Sequence, residues 1–112
     1  AAAFVFLESL ASARKRQMAI QAEILGSGMS NDAFHCSAPE PAGRGLATAM
    51  QRALADAKLT PEQITYINAH GTGTEANDKA ETKAVRKVFG PRAEHTPVSS
   101  TICTRSWWRY WE

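Results

Sequence analysis

The stretch ITYINAHGTGTEANDKAETKAVRKVFG, residues 64–90, constrains the fold more than any other part of this chain. An apolar run stops at His70 and a Gly/Thr turn follows at 71–76. Residues 77–90 then read as a helix, capped by Asn77 and closed by Gly90. This is a strand that turns sharply into a helix, with one histidine at the junction. Such a unit needs a sheet to join and a helix layer to pack against.

The flanking sequence supplies both. Residues 2–8, AAFVFLE, form a short apolar run that predicts a buried strand. Ser9 is placed to cap a helix that ends in Arg14, Lys15 and Arg16, where cations suit the dipole. Residues 19–29 alternate Ile20, Ala22 and Ile24 with Gln21 and Glu23, which predicts a second strand ending at Gly26 and Gly28. Turn-formers and two prolines mark residues 30–45 as a loop. The clearest helix covers 46–59, with Leu46, Ala49, Met50, Ala53, Leu54 and Ala57 on one stripe. Thr60, Pro61 and Gln63 carry the pattern of a capped helical turn. Residues 96–101, TPVSST, close the series as a short strand. Strands alternating with helices at this spacing predict an α/β fold with a mainly parallel sheet and helices packed on it, with functional groups gathered at strand ends.

Size and charge narrow the classes. A chain of 112 residues buries one modest core. A net charge of +2 gives no electrostatic reason for a nucleic-acid partner. No apolar run reaches the ~18 residues a membrane span needs, and residues 1–8 lack the flanks of a signal peptide. No membrane association is therefore expected. Cys36 and Cys103 make no disulfide framework, so a reduced, cytoplasmic setting is expected. The opening alanine, set directly in apolar sequence, reads as a shortened or incomplete chain.

His70 has two readings from spacing alone. A neutral imidazole accepts at one nitrogen and donates from the other, which suits it to stabilising an oxyanion or moving a proton. It is equally suited to a structural bond with a loop carbonyl. Gly71 and Gly73 let the backbone turn tightly or approach a ligand, and Thr72 and Thr74 add hydroxyls beside the ring. Asp78 and Glu81 are three apart on the helix, so they share a face in its first turn. They complement the helix dipole there, or orient the turn that holds His70. His35 next to Cys36 is a candidate thiolate pair, although sequence neighbours seldom meet in the required geometry. The histidines and cysteines lack zinc-ligand spacing, and no metal is expected.

NAHGTGTEANDKAET, followed by VFG and PVSST, resembles the C-terminal half of β-ketoacyl-acyl-carrier-protein synthases, condensing enzymes of the thiolase fold. The segment from GMSNDAFHCSAPEP to the motif is similar to the family's approach to that site, and residues 1–17 look like its junction between halves. The likeness runs over residues 1–101 and includes Asp eight and Glu eleven positions after the histidine. The resemblance implies part of a thiolase-like α/β fold. It also implies decarboxylative Claisen condensation of an acyl thioester with a malonyl thioester on acyl carrier protein, in fatty acid or polyketide synthesis. His70 is then one of two histidines that stabilise the thioester oxyanion. Thr72 and Thr74 contact the phosphopantetheine arm, and Asp78 and Glu81 support the site. No cofactor is expected. Gly73 stands where serine is more usual.

Two family elements are missing. The nucleophilic cysteine belongs to the other half, and Cys36 lies where the family has none. After SST the family continues Lys-Ser-x-x-Gly-His, whereas residues 102–112 read ICTRSWWRYWE. Ile102 takes the lysine position and Trp107 the second histidine position. A frameshift accounts for this tail: with suitably chosen codons, restoring a pair of adenines after the Thr101 codon returns both residues to register. A divergent aromatic tail or a cloning scar is the alternative, and the coding DNA decides. Three roles follow: an inactive fragment of a condensing enzyme, a non-catalytic carrier-protein-binding module, or an inert product of a damaged gene. Half of such a fold leaves apolar faces uncovered, so homo-oligomerisation is expected.

Overall fold

The computed structural model describes residues 3–100. The tail at 102–112, Cys103 and the proposed reading-frame change lie outside the described residues.

The first helix, α1, spans Leu10–Lys15. Ser9 caps it as expected, its Oγ accepting from the Ser12 amide at 3.3 Å. Glu8 adds a second tie, accepting from the Ser12 hydroxyl at 2.8 Å and pairing with Arg16. Helix α2 spans Arg44–Ala57, starting before the expected boundary. That earlier start has a visible cause. Buried Glu40 reaches forward, and its carboxylate accepts from the amides of Ala42 at 3.1 Å and Arg44 at 3.0 Å. A side-chain carboxylate thus satisfies the Arg44 amide, one of the donors that the first helical turn leaves open, and ties down the approach at Ala42. Lys58 ends the helix in the left-handed region, φ 55°.

A short 3-10 turn at Pro61–Gln63 follows, with the Thr60 amide donating to Gln63 Oε1 at 2.9 Å. Strand β1 is Ile67–Ala69, helix α3 is Glu75–Phe89, and a second 3-10 segment covers Gly90–Glu94. Strand β2 is Val98–Ser100. It runs parallel to β1, pairing Ile67 with Val98 and Ala69 with Ser100. The crossover between the strands is α3, the arrangement a parallel pair requires.

The core lies between these elements. Val85 and Phe89 of α3 bury against Ala93, with Met50, Ile64, Ile67 and Val88 around them. Each large apolar side chain so buried contributes about 1.5–3 kcal/mol. Helices α2 and α3 approach closely where Gly43 meets Ala80. A Cβ on Gly43 would lie 2.3 Å from the Ala80 carbonyl oxygen, and its φ of 65° also favours glycine.

Three expectations need correction. Residues 3–8 and 19–29 form no strand among the described residues, and the sheet there has two strands. β-pairing is non-local, so apolar alternation becomes a strand only beside a neighbour with free edge groups. Phe4 is 100% exposed and Ile24 72% exposed, so neither segment has found such a neighbour. The second segment instead lies along α2. A Cβ on Gly28 would sit 2.1 Å from the Ala49 oxygen, and one on Gly26 2.4 Å from the Ala57 nitrogen. The Ser27 amide donates to Asp56 at 2.9 Å, and Arg52 donates to the Met29 carbonyl at 2.7 Å. The third correction concerns α3, where Thr74 rather than Asn77 takes the capping position. Asn77 lies within the first turn, with its side chain directed elsewhere.

Candidate active site

Strand β1 carries buried Ala69 into the fold and delivers His70 just past its C-terminal end, where the residue is exposed. The next residues reverse the chain. Gly71 and Gly73 both adopt positive φ, 51° and 78°, which L side chains rarely tolerate. The Thr72 and Thr74 hydroxyls lie 2.9 Å apart on the outer side of this turn.

Two buried carboxylates from α3 hold the turn from beneath. Glu81 Oε1 accepts from the His70 amide and Oε2 from the Gly71 amide, each at 2.9 Å. Asp78 Oδ1 accepts from the Gly73 amide at 3.3 Å. Asp78 is fully buried and Glu81 is 5% exposed. Buried carboxylates are tolerated when charge-assisted hydrogen bonds replace water, and these are such bonds. On the far side the Ser100 hydroxyl, at the end of β2, donates to the Gly71 carbonyl at 2.6 Å. Gly71 is therefore held at its N–H by the helix and at its C=O by the sheet.

Asp78 and Glu81 bind backbone amides of the His70 turn, and Asp78 also stands in the first turn of α3. His70, Thr72, Thr74, Asp78 and Glu81 are brought together in one loop-and-helix unit. The imidazole stands on a fixed backbone, presented outward, with hydroxyls two and four residues on. Such an arrangement offers a ring N–H to a developing oxyanion without first having to order the loop.

The sequence reading gives Ser100 no role and makes Asn77 only a helix cap. Asn77 donates through Nδ2 to Glu81 Oε2 at 2.7 Å and to Asp78 Oδ1 at 3.3 Å. Its place four residues before Glu81 was the available signal. Ser100 had none, because its bond spans sequence-distant elements.

The other candidate pair fares differently. Cys36 Sγ lies 3.9 Å from His35 Nδ1, and both residues are exposed. That nitrogen also accepts from the Ser37 amide at 3.2 Å, which occupies it as a structural acceptor. Among the described residues, no group of His, Cys, Asp and Glu is arranged to hold a metal ion. No helix among them is long and apolar enough to cross a membrane.

Residues 21–103 match the family profile described as Beta-ketoacyl synthase, C-terminal domain. The chain is 49% identical over 100 residues to 3-oxoacyl-[acyl-carrier-protein] synthase 2 of Coxiella burnetii, covering 89% of this chain and 24% of that protein. A crystal structure of a beta-ketoacyl synthase from Burkholderia phymatum superposes with a TM-score of 0.75 at 38% identity, over 92% of this chain and 27% of the other. A ketosynthase solved with its type II polyketide synthase acyl-carrier protein and a hexaketide superposes with a TM-score of 0.80 at 35% identity, over 83% and 23%. The chain thus spans about a quarter of the length of the curated relatives it matches. The α/β fold with parallel strands and packed helices is that of the thiolase-like ketosynthases. With the profile covering most of its length and the strand–turn–helix unit in place, the chain belongs to the β-ketoacyl synthase family.

Proposed function

We propose that this chain supplies the His70 half of a condensing site that joins an acyl thioester to a malonyl unit carried on acyl carrier protein. Residues 1–101 are the ketosynthase-type region and 102–112 a separate tail. The observation that carries this reading is the two-pronged grip of Glu81 on the His70 and Gly71 amides, which fixes the backbone of an exposed histidine at a strand end.

In the reaction, the malonyl thioester breaks its bond to the carboxylate and carbon dioxide leaves. The electron pair moves into an enolate whose negative charge sits on the thioester oxygen. The His70 ring N–H donates to that oxygen. The enolate carbon then attacks the acyl thioester carbonyl on the family's cysteine, and the cysteine thiolate departs. Thr72 and Thr74 present hydroxyls where the phosphopantetheine amides of the carrier would pass. The carrier-bound ketosynthase among the structural relatives supports that partner class.

The nucleophile comes from outside these residues. Cys36 is exposed in a loop, beside a histidine nitrogen already engaged by Ser37. A polypeptide of these 112 residues alone should therefore form no β-ketoacyl product by mass spectrometry. The setting is cytoplasmic, and the exposed apolar segments favour association of chains.

The test is His70→Ala in an active β-ketoacyl synthase whose matching segment is replaced by residues 1–101 of this chain. Malonyl-carrier decarboxylation should fall by about 10²–10⁴-fold, the usual worth of a placed acid/base or oxyanion donor. Unchanged decarboxylation would refute the assignment. Titration with acylated carrier protein, comparing wild type with Thr72→Val, separates condensation from carrier binding alone.

A further inference from the structure

We propose that Asn77 is a positioning residue for His70: a neutral double donor that lets two buried carboxylates sit side by side beneath the catalytic turn. This rests on the reading of His70 given above.

Asp78 and Glu81 are both buried, and each holds the backbone of the same turn. As ions they repel one another across a short distance in a poorly solvated place. The Asn77 amide lies between them. One nitrogen donates to Glu81 Oε2 at 2.7 Å and Asp78 Oδ1 at 3.3 Å. These are the same oxygens that receive the Gly71 and Gly73 amides. Asn77 therefore fixes the rotamers of both carboxylates at the atoms that grip the turn. A charge-assisted donor shared between two acceptors reduces their repulsion without adding a third ionisable group.

This role can be separated from an ordinary helical one because the two make opposite predictions. Asn77 is the third residue of α3. For helix stability alone, Ala improves on Asn, and Asp in the first turn is favoured by the dipole. The helical ranking is then Asp and Ala above Asn. The positioning role ranks Asn above Ala, because Ala removes the donor. It ranks Ala above Asp, because Asp removes the donor and adds a third carboxylate.

Asn77→Ala and Asn77→Asp are made in the 112-residue chain for exchange, and for activity in an active β-ketoacyl synthase whose matching segment is replaced by residues 1–101 of this chain. Hydrogen exchange is followed at the backbone amides of His70, Gly71 and Gly73. Steady-state malonyl-carrier decarboxylation is measured alongside. Exchange at these amides should quicken roughly threefold to tenfold in Ala and more in Asp, the scale expected for losing a bond to a charged group. The rate kcat should fall in the same order with KM little changed, since the loss is in orientation rather than carrier binding. Exchange in Asp equal to or slower than in wild type overturns the proposal. If Asp does not fold, Ala decides: protection as in wild type overturns it. His70→Ala serves as the control for the underlying reading. If that variant decarboxylates normally, the functional reading fails, while the exchange ranking still judges Asn77.

Discussion

At the scale of single residues, the site depends on which groups satisfy two consecutive backbone amides. Glu81 accepts from both, one oxygen each. In Glu81→Gln one prong keeps an acceptor and the other turns an NH2 group toward an N–H. The expected loss is about 1–3 kcal/mol, read from denaturant unfolding, with Glu81→Ala losing more. A Gln variant as stable as wild type would show that the grip contributes nothing. A strand end, a glycine turn and a helix face draw attention to His70, Thr72, Thr74, Asp78 and Glu81, and the resemblance to condensing enzymes groups them; the structure brings them into one unit. The sequence leaves open which atoms the carboxylates bind, orientation of the His70 turn being one of two readings. Helix spacing says that 78 and 81 face the same way, yet it cannot say that the facing surface is the chain's own turn. The same limit hid Ser100, whose hydroxyl meets Gly71 across the sheet.

At the scale of elements, most local caps and turns formed, with Asn77 the exception, while among the described residues two of the four expected strands formed and two did not. The Ser9 cap, the stripe on α2 and the Thr60–Gln63 turn are local and all formed. The α2 start depends on Glu40, whose turn closes through a carboxylate rather than through helix propensity. That turn makes the loop before α2 sensitive to acid. The amide of Glu40 donates to Asp32 Oδ2 at 2.9 Å, and this bond holds the Asp32 carboxyl below its usual range. The Arg44 amide does the same for Glu40, helped by the Ala42 amide and the Arg44 charge. A depressed folded pKa stabilises above the unfolded value and is lost as pH falls through the folded one. Loop stability should be complete at neutral pH, begin to fall below about pH 4–5 and decline further in stronger acid. Hydrogen exchange at the Ala42 and Arg44 amides measures it. Glu40→Gln should flatten that pH dependence, and an unaltered profile would remove Glu40 from the account.

At the scale of the whole molecule, the balance of buried and exposed apolar groups is uneven. Phe4, Val5, Phe6 and Leu7 are 68–100% exposed, and Ile24, Leu25 and Met29 are more than half exposed. Contiguous apolar surface of this kind favours association. Sedimentation of the 112-residue chain should therefore show concentration-dependent mass above the monomer, and a single monomeric species at every concentration would contradict it. The apolar segment at 19–29 is nonetheless not free to slide. At Gly26 and Gly28 its backbone rests directly on α2, leaving no space for a Cβ, while the intervening Ser27 points away and gives its amide to Asp56. The pair works as a notched ruler that indexes the segment against the helix. One extra residue inserted between positions 28 and 43 can be absorbed in the loop, whereas one inserted between 26 and 28 would drive a side chain into the helix and detach everything upstream. Paired insertion libraries, scored by survival of fold against protease, would read that graduation directly.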